Sequence, residues 1–369
     1  MNRCNVRNVP FLDLRVTDDV ERQELLTAVE TVLRHGRMVL GPEVGQFEQV
    51  IAASCGRAHA VGVNSGTDAL YLGLRSLGIG PGDEVITTSL SWVATANAIA
   101  LTGATPVFAD ILGDLTIDPA SVVRLFSSRI KAILPVHYTG KICHMEELLA
   151  IADQQGIPLI EDAAQAFGAT QNGKPAGSFG TVACFSMNPM KVLAACGEAG
   201  AIVTDSSEIV ERLRALRYNG AVNRETCLEP SHNGRLDTIQ AAILLNRLGR
   251  FGYLINRRRE IAKLYRTLLN GVVECPNEAA GCLDAWYTFT IKCKQRDELR
   301  TFLETTGIET KIQHPILMPQ QPCYRGQCRS ETSNAELLLS QILCIPCNEK
   351  MTDEDVAYVA AAINSFYGV

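Results

Sequence analysis

The chain has 369 residues, of which 47% are hydrophobic and 20% are charged, a composition typical of a folded globular protein rather than a disordered one. This length is enough for one large domain and one smaller domain. The formal net charge of −6 argues against nucleic-acid binding, which depends on a basic face.

The N-terminal stretch MNRCNVRNVPFLDLR lacks the apolar run of about 7–15 residues that a secretory signal requires. Residues 85–109 carry no charge, but serines, threonines, Gly103 and Pro106 interrupt them. A membrane helix needs about 20 mostly apolar residues in sequence. We therefore expect a cytoplasmic protein without a membrane span, whose thirteen cysteines stay reduced.

Four cysteines follow the spacing C-x4-C-x15-C-x2-C, which loosely resembles a zinc ribbon: Cys323, Cys328, Cys344 and Cys347. The alternative is that ILCIPC forms a short buried strand and the first two cysteines lie in a loop. Because the spacing of the first pair is unusual for zinc, we predict no metal site, although metal binding by these four stays open.

The first two-thirds of the chain alternates short apolar strands with helical patterns. The predicted strands are HAVGV (59–63), EVITTS (84–89), PVFAD (106–110), KAILPVH (131–137) and PLIED (158–162). These runs are continuously apolar, which is typical of a mostly parallel sheet covered by helices on both faces. Ligands bind such sheets at the carboxyl ends of the strands, where NSGT, SLSW, VHYTG and EDAAQ fall. GIGPGD leads into a strand, so it predicts a turn and not a dinucleotide fingerprint.

The pattern changes after about residue 250. Residues 251–269 predict a long amphipathic helix, and WYTFTIKC (286–293) alternates like a half-exposed strand. The final helix opens at TDED, with Thr352 as N-cap and Asp355 three residues later, as in a capping box. We predict an α/β fold with a large domain over residues 1–250 and a smaller α+β domain over residues 251–369. Within the first, residues 1–35 are expected to pack near the small domain.

Lys191 is the only charged residue between positions 175 and 197, in a segment (CFSMNPMKVLAACGEAG) otherwise typical of a protein interior. Burial disfavours an ammonium, so such a lysine loses its proton readily and can react with carbonyl compounds. Pyridoxal 5'-phosphate (PLP) is the cofactor that requires such a lysine, as a Schiff base. It also requires an acid for the ring nitrogen, donors for the phosphate and a flat partner for the ring.

Each requirement has a candidate residue, and each candidate has a structural alternative. Asp162 ends the strand PLIED, where it could pair with the ring nitrogen or cap a helix. NSGT lies where a strand turns into a helix, so backbone N–H groups face an anion there, and Ser186 adds a hydroxyl. Either could instead cap a turn. Trp92 could stack on the ring or belong to the core.

Motifs in the same order run nearly the whole length of the chain: VPFLDLR, MVLGPEVGQFE, VNSGTDAL, GDEVITTSLSWVATANAI, GATPVFADI, PVHYTG, IEDAAQAFGA, AGSFG, CFSMNPMK, GEAGAIVT and HNGRLDTIQAAIL. Their combination resembles the fold-type I sugar aminotransferases of the DegT/StrS type, which transfer an amino group to keto-sugars attached to nucleotides. The resemblance implies a fold-type I PLP-dependent transferase.

The resemblance also implies roles at the matching positions. Lys191 would form the Schiff base with PLP and then carry the proton between cofactor carbon and substrate carbon. Asp162 would pair with the ring nitrogen, Gln165 would approach the phenolic oxygen, and Trp92 would stack on the ring.

The phosphate would be held by Gly66, Thr67 and Ser186. Asn233 matches an asparagine that reaches the phosphate from the neighbouring subunit, so the resemblance implies a homodimer with shared active sites. A helix cap before RLDTIQAA is a compatible role for Asn233.

One loop departs from the family pattern. TKIQHPILMPQQPCY stands where the family has T-x-I-H-Y-P-x-P-x-H-x-Q-P, so Gln313 replaces a histidine, His314 a tyrosine and Pro319 the second histidine. In relatives this loop lies near the acceptor sugar, which makes Gln313 and His314 candidate substrate contacts. Further candidates for substrate contact are Tyr218 and Arg235.

The resemblance predicts an aminotransferase that moves an amino group from glutamate or glutamine to a keto-sugar, nucleotide-linked, giving an amino sugar. An acceptor that is a cyclitol ketone or a sugar without a nucleotide stays open because of the altered loop. A PLP-dependent sugar dehydratase is a second alternative, but relatives of that kind have histidine in place of the lysine. A non-catalytic sensor with the same fold is the third.

Overall fold

The computed structural model describes residues 7–223 and 225–369. The helices are α1 (Asp19–His35), α2 (Pro42–Ser54), α3 (Gly66–Ser76), α4 (Ala94–Leu101), α5 (Pro119–Arg124), α6 (Met145–Gln155), α7 (Ser207–Leu216), α8 (Thr238–Leu268), α9 (Arg296–Thr305), α10 (Ser333–Leu339) and α11 (Asp353–Tyr367), with a 3₁₀ turn at Met318–Gln320. The strands are β1 (His59–Val63), β2 (Glu84–Thr88), β3 (Thr105–Ala109), β4 (Ile130–Leu134), β5 (Ile160–Asp162), β6 (Thr170–Gln171), β7 (Lys174–Pro175), β8 (Val182–Ser186), β9 (Gly200–Thr204), β10 (Ala221–Val222), β11 (Thr226–Cys227), β12 (Cys282–Leu283), β13 (Phe289–Lys292) and β14 (Ile342–Ile345).

The central sheet has the strand order β3-β2-β4-β5-β8-β9-β1. It consists of a three-stranded ladder, β3-β2-β4, and a four-stranded ladder, β5-β8-β9-β1. The two join where β4 meets β5, through the parallel bridges Ile133–Leu159 and Val136–Asp162. β9 runs antiparallel to β8 and β1, and the remaining neighbours pair in parallel. The five predicted strands are therefore confirmed as members of a mostly parallel sheet.

Strand β8 shows why the sequences of these strands are continuously apolar. Val182 and Cys184 pack into the cluster that holds α3, while Ala183 and Phe185 pack into the cluster that holds α2 and the first half of α8. Successive residues of a strand point to opposite faces, and both faces are covered here. A polar side chain inside the strand would therefore be buried and would need a hydrogen-bond partner, as the Cys184 thiol has in the backbone oxygen of Ala69.

A second core lies in the C-terminal part of the chain. It is built from the second half of α8, β13, β14, α9 and α11. The predicted capping box is confirmed, since the Thr352 side chain accepts the N–H of Asp355 and the Asp355 side chain accepts the N–H of Thr352. Val9 joins this core, and its N–H donates to the oxygen of Gly307 at 2.9 Å. The packing of residues 1–35 near a small domain stays a prediction, and residues 1–6 lie outside the described residues. Because α8 runs through residue 250 without a break, the two-domain division stays a proposal.

The loop that departs from the family pattern returns to the large sheet. The N–H of Met318 donates to the oxygen of Ser89 at 2.9 Å, and the N–H of Phe108 donates to the oxygen of Arg329 at 3.0 Å. These bonds place the loop at the carboxyl ends of β2 and β3, the edge where ligands of such sheets bind. No helix among residues 7–223 and 225–369 is long and apolar enough to cross a membrane.

Candidate active site

Lys191 lies in the loop that follows β8, beside a cavity of about 230 Å³. Its N–H donates to the oxygen of Asn188 at 2.9 Å, and the side chain of Asn188 accepts the N–H of Met190 at 3.0 Å, so the turn is fixed locally. The Lys191 ammonium lies 4.6 Å from the centre of the Tyr287 ring. The expected fully enclosed lysine is corrected here: Lys191 is half-buried, because its side chain faces the cavity.

The cavity brings together five residues that the sequence predicted for one site. They are Lys191, Trp92, Gln165, Gln313 and His314. Trp92 is 59% exposed, so the alternative of a core tryptophan is wrong. The buried Oε1 of Gln165 has no hydrogen-bond partner within the described chain, as expected of a side chain whose partner is a ligand.

Asp162 is a buried carboxylate at the end of β5. Its oxygens accept hydrogen bonds from the Thr95 hydroxyl at 2.8 Å and from the N–H of Ala164 at 3.2 Å. Burial raises the pKa of Asp162, while those two bonds and the charge of Lys191 favour the ionised form. A bound cation would favour that form further, which is what a protonated ring nitrogen supplies.

Thr95 is a site residue that the sequence reasoning missed. Its hydroxyl also lies 3.1 Å from that of Ser91, and both residues are nearly fully buried. The hydroxyls of Ser91 and Thr95 thus form a short hydrogen-bonded chain that holds the Oδ2 atom of Asp162 in place. The available signal was a threonine in the first turn of a mostly apolar helix, since a buried hydroxyl requires a partner.

The predicted phosphate site lies at the N-terminus of α3. The Ser65 hydroxyl accepts the N–H of Asp68 at 3.0 Å, so the N–H groups of Gly66 and Thr67, which have no acceptor in their helix, are left for an anion. Val63 and Ser186 both pair with Gly200 of β9, which brings β8 beside the start of the helix. A Cβ on Gly66 would lie 2.5 Å from the Cβ of Ser186, so only glycine fits.

We expect Gly66→Ala to weaken PLP binding by about 10-fold or more, because Ser186 or the helix end must move and lose a bond to the phosphate. Fluorescence titration of the apo-protein with PLP measures this change. Gly45→Ala is the matched control, since Gly45 lies in α2 and a Cβ there meets nothing within 4 Å. Equal affinity of the Gly66 variant and the control would contradict the assigned phosphate site.

His314 stands at the centre of the divergent loop. Its φ of 56° places it in the left-handed region, and its ring lies 5.5 Å from that of Trp92 and 5.6 Å from that of Tyr138. Tyr138 donates its hydroxyl hydrogen to the backbone oxygen of Gln313 at 2.7 Å, which holds the loop. Burial lowers the pKa of His314 to about 4, and the charge of Lys191 acts in the same direction. His314 is therefore a neutral imidazole at the cavity wall.

Asn233, Tyr218 and Arg235 form a separate group. Arg235 donates to the side chain of Asn233 at 2.7 Å, and its guanidinium lies 4.9 Å from the Tyr218 ring. None of the three lines the Lys191 cavity of their own chain. The backbone of Arg235 pairs with Val63, just before the phosphate site. The predicted contact of Asn233 with the cofactor of a neighbouring subunit, and those of Tyr218 and Arg235 with substrate, stay predictions.

His137 lies at the carboxyl end of the sheet but has a structural role. It is fully buried, its Nε2 lies 3.1 Å from the Glu161 carboxylate, and its Nδ1 accepts the N–H of Cys143 at 3.3 Å. Glu161 also accepts the N–H groups of Gly177, Phe179 and Gly180. Both nitrogens of His137 are thus used inside the protein.

The four cysteines with zinc-like spacing are not brought together around an ion. Cys344 lies in β14 and bonds Thr290, whereas Cys328 packs near Tyr324. Within residues 7–223 and 225–369, no group of three or more histidine, cysteine or acidic side chains is placed to hold a metal.

The residues present fit PLP. The orphaned amide oxygen of Gln165 and the Lys191 amine share the cavity. The buried Asp162 carboxylate at the end of β5 and the glycine cradle, which is Gly66 at the N-terminus of α3, do not line it. These four groups are the parts of a PLP site on a fold-type I sheet. Lys191, Asp162, Gln165, Trp92 and the cradle would hold the group. When bound, PLP supplies an electron-poor ring that stabilises negative charge on the amino-bearing carbon. The site is thus that of a PLP-dependent transferase.

The chain belongs to the DegT/DnrJ/EryC1/StrS aminotransferase family, whose profile matches residues 19–364. A curated relative from Streptomyces venezuelae, a dTDP-3-amino-3,4,6-trideoxy-alpha-D-glucose transaminase, is 40% identical over 370 residues, with 99% of this chain and 98% of the relative covered. The X-ray structure of S. venezuelae DesV in complex with a ketimine intermediate has a TM-score of 0.94 at 39% identity, covering 98% of this chain and 99% of that chain.

A third similar protein, NtdA from Bacillus subtilis, was solved with bound cofactor PMP, the amine form of PLP. Its TM-score is 0.91 at 30% identity, with 99% of this chain and 86% of that chain covered. The family is PLP-dependent, and the protein is accordingly a PLP-dependent aminotransferase of the fold-type I class.

Proposed function

We propose that this enzyme transfers an amino group from glutamate or glutamine to the ketone of a nucleotide-linked sugar, producing an amino sugar. The observation that carries the proposal is the half-buried Lys191 amine in one cavity with Gln165, Trp92 and the divergent loop. The name of the S. venezuelae relative supports this class of substrate, because it names a dTDP-linked sugar with an amino group at C3.

Lys191 would carry out the proton transfers. Its Nζ would hold the cofactor covalently, leave when the amino donor arrives, and then take the proton from the amino-bearing carbon of the substrate. Asp162 would keep the ring nitrogen protonated, with Thr95 fixing one carboxylate oxygen at 2.8 Å. Position 191 is lysine and not the histidine of related dehydratases, and this residue favours amino transfer over dehydration.

The neutral His314 and the side chain of Gln313 would contact the acceptor sugar. Both line the cavity, and the His314 imidazole stands beside the exposed Trp92 ring. A neutral imidazole can donate to or accept from a sugar hydroxyl without pairing with a charge.

The working unit would be a homodimer. The group formed by Asn233, Arg235 and Tyr218 lies outside the cavity of its own chain, which suits residues that complete the site of a partner subunit. The reaction would take place in the cytoplasm, where thiols stay reduced, and every cysteine in the described part of the chain is free.

A two-step experiment tests this function. The PLP-loaded enzyme is first mixed with L-glutamate or L-glutamine, and we expect the cofactor absorbance to change from the aldehyde form to the amine form. The amine form is then mixed with a panel of ketones, and we expect a nucleotide-linked keto-sugar to restore the aldehyde form. The panel varies the keto carbon between C3 and C4 and the nucleotide between dTDP and UDP.

The same panel includes a cyclitol ketone and a keto-sugar without a nucleotide. Restoration by one of these alone would replace the proposed acceptor with that class. If neither amino acid changes the absorbance of the PLP form, the protein does not transaminate and a ligand sensor becomes the better interpretation.

A further inference from the structure

The cavity beside Lys191 is lined by basic side chains, and only part of their charge is paired with a carboxylate. Three cationic side chains line it, those of Lys191, Arg258 and Lys311, and no aspartate or glutamate does so within the described residues. A concave site with uncompensated positive charge favours an anionic ligand. The three cations differ in how much of that charge is available.

Arg258 is already fully occupied. It is only 3% exposed, its Nε and Nη2 bind the carboxylate of Glu349 at 3.0 and 2.7 Å, and its Nη1 donates to the backbone oxygens of Trp286 and Cys347 at 3.1 and 2.9 Å. All three of its nitrogens are thus used to join α8 to the C-terminal core, and its charge is neutralised by Glu349. Lys191 is reserved for the covalent chemistry.

Lys311 is the cation that is left. Its ammonium lies 4.8 Å from the centre of the Phe11 ring, and it forms no ion pair with a carboxylate of residues 7–223 or 225–369. Its backbone is fixed, because its N–H donates to the oxygen of Cys344 at 3.0 Å and its oxygen accepts the N–H of Cys344 at 2.8 Å. Glu309, two residues earlier, instead accepts the N–H of Phe11 at 3.0 Å and does not line the cavity.

We propose that Lys311 binds a carboxylate of the amino-acid donor. This inference rests on the proposed function, which requires an amino acid to react beside Lys191. The α-carboxylate of any such donor is bonded to the carbon that reacts, so it must enter this cavity. The diphosphate of a nucleotide-linked sugar is separated from the ketone by the sugar ring and can lie outside it. An ammonium whose backbone is bridged to β14, with an aromatic ring beside it, suits a carboxylate that arrives and leaves in every cycle.

The test compares Lys311→Met with the parent enzyme. The apparent Kd for L-glutamate is measured from the single-turnover change of cofactor absorbance, and the Kd for glutarate, which has two carboxylates and no amino group, is measured by calorimetry on the PLP-loaded enzyme. We expect both values to rise by about 10- to 100-fold, since a charged hydrogen bond is lost. Lys311→Arg should recover most of the affinity.

Lys294→Met is the matched control, because it removes an exposed lysine with the same change in net charge. Repeating the measurement with L-glutamine and L-alanine identifies the carboxylate: equal weakening for all three donors assigns the α-carboxylate, and weakening for glutamate alone assigns the side-chain carboxylate. Either result supports the proposal.

Two results would overturn it. One is an unchanged Kd for glutamate and glutarate in Lys311→Met. The other is a variant in which only the half-reaction with the nucleotide-linked sugar weakens, which would assign Lys311 to the phosphates. Both presuppose a parent enzyme that responds to an amino acid. A parent that responds to none contradicts the proposed function itself, so the two failures are distinguishable.

Discussion

Lys191→Ala is expected to lower turnover by about 10³-fold or more while the protein still binds PLP. General acid–base catalysis alone contributes about 10²–10⁴-fold, and the variant also loses the amine that attaches the cofactor. Binding should persist because Asp162, Gln165 and the cradle at Gly66 are untouched. Turnover is measured with glutamate and the best ketone of the panel, and retained cofactor by absorbance after gel filtration.

Borohydride reduction followed by peptide mapping provides the control for this prediction. In the parent protein the reduced cofactor should be found on the peptide that carries Lys191, and in the variant on no peptide. A label on another lysine, or turnover of the variant at the parent rate, would show that the cavity amine is not the point of attachment.

The strands of the large sheet could be predicted because their apolar runs are dictated by burial on both faces. Their order could not, since it depends on which strands pair across long stretches of chain. β9 is an example: GAIVT carries the same apolar pattern as its neighbours, yet it runs antiparallel to them. Its position decides the phosphate site, because Gly200 lies between Val63 and Ser186.

Some residues of the candidate site could likewise be predicted from the sequence, and others could not. Asp162 and Gly66 could be found from the sequence because each lies at or just after the end of a predicted strand, where ligands of such sheets bind. Lys191 could be found because it is the only charge in a long apolar segment. Thr95 and Lys311 could not be found in this way. Thr95 matters because it bonds Asp162, and Lys311 because it lines the cavity with Lys191, and both relations join residues far apart in sequence. Residues 310–324 show no periodicity, so only the structure could place His314 beside Trp92.

The group around Asn233 shows a further limit on what one chain can reveal about the site. The resemblance predicted that Asn233 reaches a neighbouring subunit, and the single chain is compatible with this because Asn233 does not line its own cavity. Within the described part of one chain Asn233 has only local partners, Arg235 and Tyr218, so a contact with another copy of the chain cannot be inferred from its own surroundings.

Asp162→Asn is expected to lower turnover by about 10³-fold, a loss comparable to that caused by removing one preorganised electrostatic contact at a reacting centre. The folded structure should tolerate the change, because the amide is isosteric and its oxygen can still accept the N–H of Ala164 or the hydroxyl of Thr95. What the variant loses is the negative charge. A neutral amide cannot stabilise a proton on the ring nitrogen of the cofactor, and an unprotonated ring accepts less electron density from the substrate carbon.

The measurement that separates this cause from a folding defect is a pH titration of the bound cofactor's absorbance. The ring nitrogen should lose its proton at lower pH in Asp162→Asn than in the parent, since the buried carboxylate that stabilises the protonated form is gone. Thr95→Ser serves as the control. In the parent the Thr95 hydroxyl lies 2.8 Å from Asp162, and serine keeps that hydroxyl, so this variant should titrate like the parent. If Asp162→Asn kept both the parent titration and the parent turnover, the ionised carboxylate at the end of β5 would not be what makes the ring an electron acceptor.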